Sequence, residues 1–224
     1  MQKKTDRPVN YLGEQMKREE KNAASRQKIL RAALEEFSRK GYEGASLSTL
    51  CAEKEISKGL IYHYFSGKEE LYLLCVGQCF EAFTACLAQA AEALHGSARE
   101  KLGDYFDARL RFFAENPLYL GIFADAVFNT PSALGEQISR LRADFDRLNL
   151  SVLSGLLKSQ PLRPGLSPEG VAEDFRAYMD YFNLRFRAAV RSGQPVKNIL
   201  IEHEEKCCRQ LDILLYGVWE KNEE

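Results

Sequence analysis

The sequence predicts an all-α fold, and three observations support this prediction. Apolar residues recur at three- and four-residue steps through most of the 224 residues, as on one face of a helix. No convincing run alternates apolar and polar residues in the way that a half-buried strand does. Serines, glycines and seven prolines separate the helical stretches. The hydrophobic fraction of 45% and the charged fraction of 28% are typical of a globular protein.

The chain begins with a charged segment, residues 1–21, which we expect to be a frayed arm or a helical extension. Residues 26–40 form the first predicted helix, because five apolar side chains fall on one stripe: Ile29, Leu30, Ala33, Leu34 and Phe37. Gly41 then occupies the position where a helix stop needs a residue that adopts a left-handed conformation.

Two short helices follow this first one. Ser46 is placed to cap a helix at 46–54, and Ser57 is placed to cap another at 57–65. Two short helices joined by a tight turn have the proportions of a helix-turn-helix.

A longer helix is predicted to begin at Ser66, because Ser66 and Glu69 have the spacing of a capping box. The proline-rich stretch QPLRPGLSPEG, residues 160–170, is the clearest loop. Further helical segments are predicted at 98–115, 117–130, 133–160, 168–193 and 195–221.

The helix at 57–65 carries many large polar side chains for its length. At 100° per residue, Ile61, Tyr64 and Phe65 fall on one side, which we expect to pack inward. A glycine inside a helix costs about 1 kcal/mol relative to alanine, so the cost of Gly59 should be offset elsewhere. Close approach of the helix backbone to a partner offers such a gain, and the major groove of DNA admits a helix.

The outward side of this helix therefore predicts DNA contacts, the other interpretation being an ordinary packed surface helix. Tyr62 and His63 can donate hydrogen bonds to phosphate oxygens, and Lys68 adds a cation nearby. Lys58 and Leu60, beside the glycine, are placed to meet base edges. The predicted DNA-binding residues, including three serines at helix starts, are Ser46, Ser48, Ser57, Lys58, Gly59, Leu60, Tyr62, His63 and Lys68.

The segment ILRAALEEFSRKGYEGASLSTLCAEKEISKGLIYHYFSGKEEL, from Ile29 to Leu71, resembles the DNA-binding domain of the TetR family of transcriptional repressors. The resemblance covers roughly a fifth of the chain, and its motifs are specific in combination. The matching residues in and after the third helix are Ser57, Gly59, Tyr62, Tyr64, Phe65, Lys68, Glu69 and Leu71.

The resemblance implies a helix-turn-helix domain at 22–70 and a helical ligand-binding and dimerisation domain at 71–224. It also implies a homodimer paired through the last two helices and a palindromic double-stranded DNA operator. A small apolar or amphipathic effector would release the repressor. The segments at 168–193 and 195–221 are long and amphipathic, as such pairing requires. A two-fold dimer would present its recognition helices to half-sites about 34 Å or more apart.

One departure from the family pattern lies in the turn between the two short helices. Lys54, Glu55 and Ile56 stand where the family usually has Ala-Gly-Val. Glycine there usually allows a positive φ, so Glu55 must bear that strain or shift the turn. Its carboxylate near DNA favours an alternative function, namely a helical small-molecule-binding or interaction dimer that has lost DNA binding.

Aromatic residues are dense in the predicted ligand-binding domain. Thirteen of the chain's 24 aromatic residues lie between Tyr105 and Phe186, enough to fill a core or line an apolar pocket. We expect most of them to be core and a few to face a cavity. The residues predicted to bind the effector, chosen because they lie mid-helix, are Phe113, Tyr119, Phe123, Tyr178 and Phe182.

Charge is distributed unevenly along a chain whose formal net charge is −1. Up to Lys68, 14 Lys and Arg stand against 9 Asp and Glu, whereas from Glu69 onward 17 stand against 23. The basic front favours a polyanionic partner for that part. No signal peptide or apolar run of membrane-spanning length is evident, so we expect a cytoplasmic protein with reduced thiols and no membrane partner.

No catalytic motif or phosphate-binding loop is evident, and we predict neither an enzyme nor a cofactor nor a metal site. His203 and Cys207 have a metal-ligand spacing on one helical face, but a third ligand is not evident, which favours packing. Cys75, Cys79 and Cys86 share one stripe and are interpreted as small core residues, with a thiol-redox sensor as the alternative.

Overall fold

The computed structural model describes residues 9–191 and 194–219. Within these ranges the chain has no strand, apart from one isolated bridge between Leu162 and Trp219, which confirms the all-α prediction. The helices are α1 Val9–Gly44, α2 Leu47–Lys54, α3 Lys58–Tyr64, α4 Lys68–Glu92, α5 Ala98–Glu115, α6 Pro117–Phe128, α7 Gly135–Leu141, α8 Ala143–Leu157, α9 Pro168–Arg191 and α10 Val196–Val218, with a 3-10 turn at Ser132–Leu134.

Helix α1 is longer than predicted and is interrupted by a kink at Gly41. It runs back to Val9, so residues 9–21 of the predicted arm are a helical extension, while residues 1–8 lie outside the described part. The backbone φ of Gly41 is 67°, a value that favours glycine. The predicted stop at this glycine is therefore confirmed, and residues 42–44 follow it after the kink.

The predicted start of α4 is wrong by two residues. The helix begins at Lys68 with Gly67 as its N-cap, and Gly67 has no side chain to make a capping bond. Glu70, rather than Glu69, therefore stands at the third helical position. The backbone N–H and the hydroxyl of Ser66 both donate to Glu70 Oε2, at 2.6 and 2.8 Å.

The predicted helix at 133–160 is two helices. Helix α7 ends at Leu141, and α8 begins at Ala143 after a break at Arg142. The break is held locally, because Arg142 Nε donates to both carboxylate oxygens of Asp146 at 2.9 and 3.1 Å.

Helix α4 is long and apolar enough, by length and composition alone, to cross a membrane, so the expectation that no run reaches this length is wrong. Its apolar residues are explained by packing. The helix contacts α1, α5, α6, α7 and α8, and eight of its residues are buried. A helix with neighbours on several sides is apolar on several sides.

An aromatic cluster forms the centre of the C-terminal helices. The ring centroids of Phe112, Phe113, Phe123 and Phe145 lie 4.6–5.6 Å from that of Phe83. These rings come from α4, α5, α6 and α8, so their packing fixes the four helices relative to one another.

Candidate functional site

The helix starts of α2 and α3 are fixed by serine caps, as predicted. Ser46 Oγ accepts a hydrogen bond from the backbone N–H of Ser48 at 3.2 Å, and Ser57 Oγ accepts one from Leu60 N–H at 3.1 Å. In both caps the serine oxygen is the acceptor, so each hydroxyl proton is left available for donation to a partner such as a phosphate. Ser48 and Ser57 are exposed, and Ser46 is half-buried.

Helix α3 is anchored on one side and open on the other. Ile61 and Phe65 are buried, and the Tyr64 hydroxyl donates to Asn22 Oδ1 of α1 at 3.0 Å. Lys58, Gly59, Tyr62 and His63 are exposed, while Leu60 is half-buried against the core; Tyr62 keeps 59% of its surface accessible.

Gly59 lies on the open side of α3. A Cβ added there would meet no described heavy atom within 4 Å. Crowding within the described chain therefore does not require glycine at this position. Close approach of an external partner to the helix backbone is a reason for glycine that remains.

The predicted conflict at Glu55 is real. Glu55 is the C-cap of α2 with φ 52° and ψ 42°, in the left-handed region. The backbone of Glu55 thus adopts the conformation that glycine would have favoured, and the turn is not shifted. The Ile56 N–H donates to Cys51 O at 3.1 Å, which closes the turn that leads to α3.

Most basic groups beside the two short helices are already held by acidic groups. Glu36 is buried and accepts from Lys40 at 2.8 Å, from Arg39 at 2.9 Å and from the Ser46 N–H at 3.2 Å. Burial opposes the charge, but these three donors keep the pKa of Glu36 below its ordinary value.

Two further cations close to α2 and α3 also have protein partners. Lys54 pairs with Glu35 at 2.6 Å. Lys68 lies half-buried with its ammonium 4.6 Å from the ring centroid of Tyr42 and 3.4 Å from Glu43 O. Lys58 is in no ion pair among the residues that the structure describes.

A cavity of about 340 Å³ lies between α5, α6, α7, α8, α9 and α10. Its walls are largely apolar, which suits a small organic ligand. The apolar residues that line it include Leu102, Phe106, Phe123, Val127, Ile138, Phe145, Leu150, Leu153, Leu156, Phe175, Met179 and Leu211.

One wall of the cavity holds a buried ion pair. Arg109 of α5 and Glu204 of α10 form a two-pronged contact, with Nη2 donating to Oε1 at 3.0 Å and Nε donating to Oε2. Burial alone would raise the pKa of Glu204, but the Arg109 charge outweighs it and holds this pKa well below its ordinary value.

Polar neighbours complete this buried network. Arg109 Nη1 and the Tyr105 hydroxyl both donate to Asn149 Oδ1 at 3.1 Å. On the other side of Glu204, His203 lies 3.2 Å from its carboxylate and 2.8 Å from Asn183 Oδ1. The network joins α5, α8, α9 and α10 around the cavity.

The residues predicted to bind the effector are not gathered in the cavity. Phe123 lines it. Phe113 packs in the core, 4.6 Å from Phe83 between ring centroids, and Phe182 packs against Phe186 at 5.2 Å. Tyr119 is half-buried on Phe112, and Tyr178 lies partly exposed on α9. A mid-helix position does not specify which face of the helix a residue occupies.

Sequence reasoning missed the charged residues of the cavity. A signal was present for Glu204, because it follows Leu200 by four residues and precedes Cys207 by three, within the apolar stripe of α10. Arg109 likewise stands between Phe106 and Phe112 on α5. A charged residue inside an apolar stripe indicates a buried, paired charge.

The outer faces of α9 and α10 carry large apolar side chains that the described part of the chain leaves exposed. Tyr181 and Leu184 of α9 are 65% and 60% exposed, and Ile213 and Tyr216 of α10 are 57% and 53% exposed. Large exposed apolar side chains on two helices that contact each other indicate an interaction surface.

The six cysteines are all free thiols, and three of them, Cys75, Cys79 and Cys207, are buried. Burial raises the pKa of Cys75 to about 12, and it raises the pKa of Cys79 and Cys207 as well. These three thiols are therefore poor nucleophiles. Cys207 Sγ lies 3.6 Å from His203 Nε2, but the described residues contain no group of three that could hold a metal ion.

Comparison with known proteins gives matches in both parts of the chain. Residues 29–75 match the family model of bacterial regulatory proteins, tetR family. The HTH-type transcriptional regulator RutR of Escherichia coli (strain K12) is 28% identical over 149 residues, which cover 66% of this chain and 69% of RutR. The HTH-type transcriptional regulator UidR of the same strain is 37% identical over 71 residues, covering 32% of this chain and 36% of UidR.

Solved structures share the fold over nearly the whole chain. The transcriptional regulator FadR from Bacillus subtilis, in complex with stearoyl-CoA, has a TM-score of 0.60 at 16% identity, covering 85% of this chain and 98% of FadR. A TetR-family regulator from Agrobacterium tumefaciens has a TM-score of 0.60 at 17% identity, covering 89% of this chain and all of that one.

Proposed function

We propose that this chain, whose residues 29–75 match the tetR family of bacterial regulatory proteins, is a transcriptional regulator of that family, that it binds a palindromic operator as a homodimer and that a small uncharged ligand in the C-terminal cavity releases it. The observation that carries the DNA-binding part is the open side of α3. The exposed positions of this helix include Lys58, Gly59, Tyr62 and His63, and its other side is buried in the domain.

The exposed side of α3 has the chemistry to read DNA. Tyr62 and His63 donate to phosphate oxygens, and the serine caps at Ser46 and Ser57 add hydroxyl donors at two helix N-termini. Lys58 reaches base edges, while Gly59 lets the helix backbone approach the groove. Phosphate contacts position the helix, and base contacts select the sequence.

The uncovered apolar faces of α9 and α10 support the proposed homodimer. Tyr181, Leu184, Ile213 and Tyr216 lie on these two long helices. Pairing them with a second copy about a two-fold axis would form a four-helix interface and remove these side chains from water. Two recognition helices related by this axis require an inverted repeat with half-sites about 34 Å or more apart.

The charge pairing in the cavity supports an uncharged ligand. Among the charged residues that line the cavity, Arg109 is neutralised by Glu204 and Arg142 by Asp146, while Arg176 and Asp180 are exposed to water. A carboxylate or ammonium entering the apolar part would lose its hydration without finding an unpaired buried counter-charge. A neutral amphipathic molecule can instead bury its apolar part and exchange a hydrogen bond with Asn149, Asn183 or Tyr105.

Ligand binding need supply only a modest free energy to control DNA binding. Helix α4 begins next to α3, and its residues Phe80 and Phe83 pack on rings of the cavity-forming helices. A ligand that shifts α4 would change the separation or tilt of the two recognition helices in the dimer. A coupling of about 1–3 kcal/mol changes operator affinity by roughly 5- to 150-fold.

Selection of bound DNA from a random pool tests the DNA-binding proposal. An enriched inverted repeat is expected, with affinity that falls as salt rises. On the selected DNA, Tyr62→Ala and His63→Ala should weaken binding to all sequences, whereas Lys58→Ala should alter sequence preference. His95→Ala is the matched control, since His95 is exposed in the loop between α4 and α5. Enrichment of no sequence would refute the proposal.

A matched pair of probes tests the ligand class. Medium-chain fatty alcohols should raise the melting temperature and weaken operator binding more than carboxylates of the same length. Equal or better action by the carboxylates would refute an uncharged ligand.

The second candidate function is a helical small-molecule-binding or interaction dimer without DNA binding, and the exposed carboxylate of Glu55 favours it. This carboxylate lies in the turn that leads to α3, where it repels phosphate. The two functions differ in the selection experiment, because only a DNA reader enriches a sequence.

A further inference from the structure

Helix α6 has two functional faces. Phe123 and Val127 line the cavity. Asp125 lies about 200° around the helix from each of them, on the side that packs against α1. A displacement of α6 would therefore change its packing contact with α1 directly.

The contact between α6 and α1 has almost no free space. A Cβ added to Gly121 of α6 would lie 2.1 Å from Ser38 O of α1, and one added to Gly41 would lie 2.6 Å from Asp125 Oδ1. Backbones packed this closely cannot slide past each other without separating. A movement of α6 therefore either carries α1 with it or separates the two helices.

Asp125 hydrogen-bonds the segments on both sides of the DNA-binding helices. Its Oδ2 accepts from the backbone N–H of Tyr42 at 2.8 Å and from the Tyr72 hydroxyl at 2.7 Å. Tyr42 lies near the end of α1, after the kink at Gly41 and five residues before α2 begins, and Tyr72 lies in the first turns of α4. Asn129 of the same segment donates to Oδ1 at 3.1 Å.

The bonds to Asp125 are buried and therefore costly to break. The carboxylate is 5% exposed, and the donors that the structure records for it are neutral groups. Burial and the neighbouring carboxylate raise the pKa of Tyr72, so its hydroxyl remains a donor. A buried donor or acceptor that loses its partner is strongly unfavourable, so these groups favour one arrangement of α6 against α1 and α4.

We propose that Asp125 is a positioning residue, whose carboxylate holds the end of α1 in the place from which α2 and α3 meet DNA. The proposal rests on the proposed function, since it assumes that α2 and α3 bind DNA. Asp125 acts on the backbone directly, because it accepts from the N–H of Tyr42.

The test compares two substitutions of Asp125 in the full-length dimer, on DNA selected by the wild-type chain. Asp125→Asn keeps an oxygen that can accept from Tyr42 and Tyr72, so its operator affinity should equal that of wild type. Asp125→Ala removes the acceptor and should weaken operator binding about tenfold or more. Hydrogen exchange should show faster exchange at residues 42–50 in Asp125→Ala and not in Asp125→Asn.

The outcomes separate this proposal from the proposed function. Operator binding by Asp125→Ala at wild-type affinity would overturn the positioning role, and so would an equal loss in Asp125→Asn. Failure of the wild-type chain itself to select DNA would overturn the proposed function instead. If Asp125→Ala does not fold, Tyr72→Phe, which deletes one hydroxyl, gives the same test with a smaller expected loss of about threefold.

Discussion

Replacing Glu55 with glycine should stabilise the protein. Glu55 is the non-glycine residue with a positive φ in the described part of the chain. A residue with a Cβ pays about 1–2 kcal/mol to adopt the left-handed conformation. Glycine gives back about 0.4–1 kcal/mol through its greater freedom in the unfolded chain. Because Glu55 is exposed, the net gain should be about 0.5–1 kcal/mol.

The measurement is urea unfolding at one fixed protein concentration, since the stability of a dimer depends on concentration. Glu55→Gln is the matched control, because it removes the charge and keeps the Cβ. Its free energy of unfolding should stay within about 0.3 kcal/mol of wild type, as surface substitutions usually do.

Two results would contradict the backbone argument. Equal stabilities of Glu55→Gln and Glu55→Gly would mean that charge, and not backbone conformation, is the cause. A less stable Glu55→Gly would refute it as well. Operator affinity at low salt gives a separate readout, because both variants delete the carboxylate and both should bind more tightly.

Three further predictions follow from the packing and the charges. The pKa of Glu204 in the folded protein lies below the ordinary 4.5. The stability that its charge gives to the fold is therefore complete above about pH 4.5 and is lost as the pH falls through the folded pKa. Glu204→Gln should flatten the acid dependence of the urea midpoint. Gly121→Ala should cost about 1–3 kcal/mol in urea unfolding because its Cβ would meet Ser38 O, whereas Gly103→Ala, with nothing within 4 Å, should be neutral or stabilising. Leu184→Glu should convert the proposed dimer to monomer in sedimentation, and an unchanged dimer would exclude α9 from the interface.

Local signals in the sequence were sufficient for the DNA-binding helices. Ser46 and Ser57 cap the predicted helices, and Gly41 adopts the predicted positive φ, because each depends on the conformation of a few neighbouring residues. The sequence allowed two outcomes at Glu55, a strained backbone or a shifted turn, and the structure has the strained backbone. The start of α4 was missed because Gly67 moved the cap by one position, which placed Glu70 in the role expected of Glu69.

The cavity could not be predicted to the same extent, because it depends on how helices face one another. Tyr178 and Phe123 are both mid-helix aromatics, yet one is partly exposed on α9 and the other lines the cavity. Arg109 and Glu204 are 95 residues apart in sequence, and only the packing of α5 on α10 brings them together. Without that packing, each looks like an ordinary charged residue of a helix.

The close packing of α6 on α1 sets an order of events during synthesis. Tyr42 and Asp125 are separated by 83 residues. A ribosome adding 5–20 residues per second completes the second roughly 4–17 s after the first. For the part of this interval that follows the completion of α3, the nascent chain has α1, α2 and α3 but lacks α6, which packs on α1. We therefore expect an unfinished polypeptide to be a poor competitor for chromosomal sites.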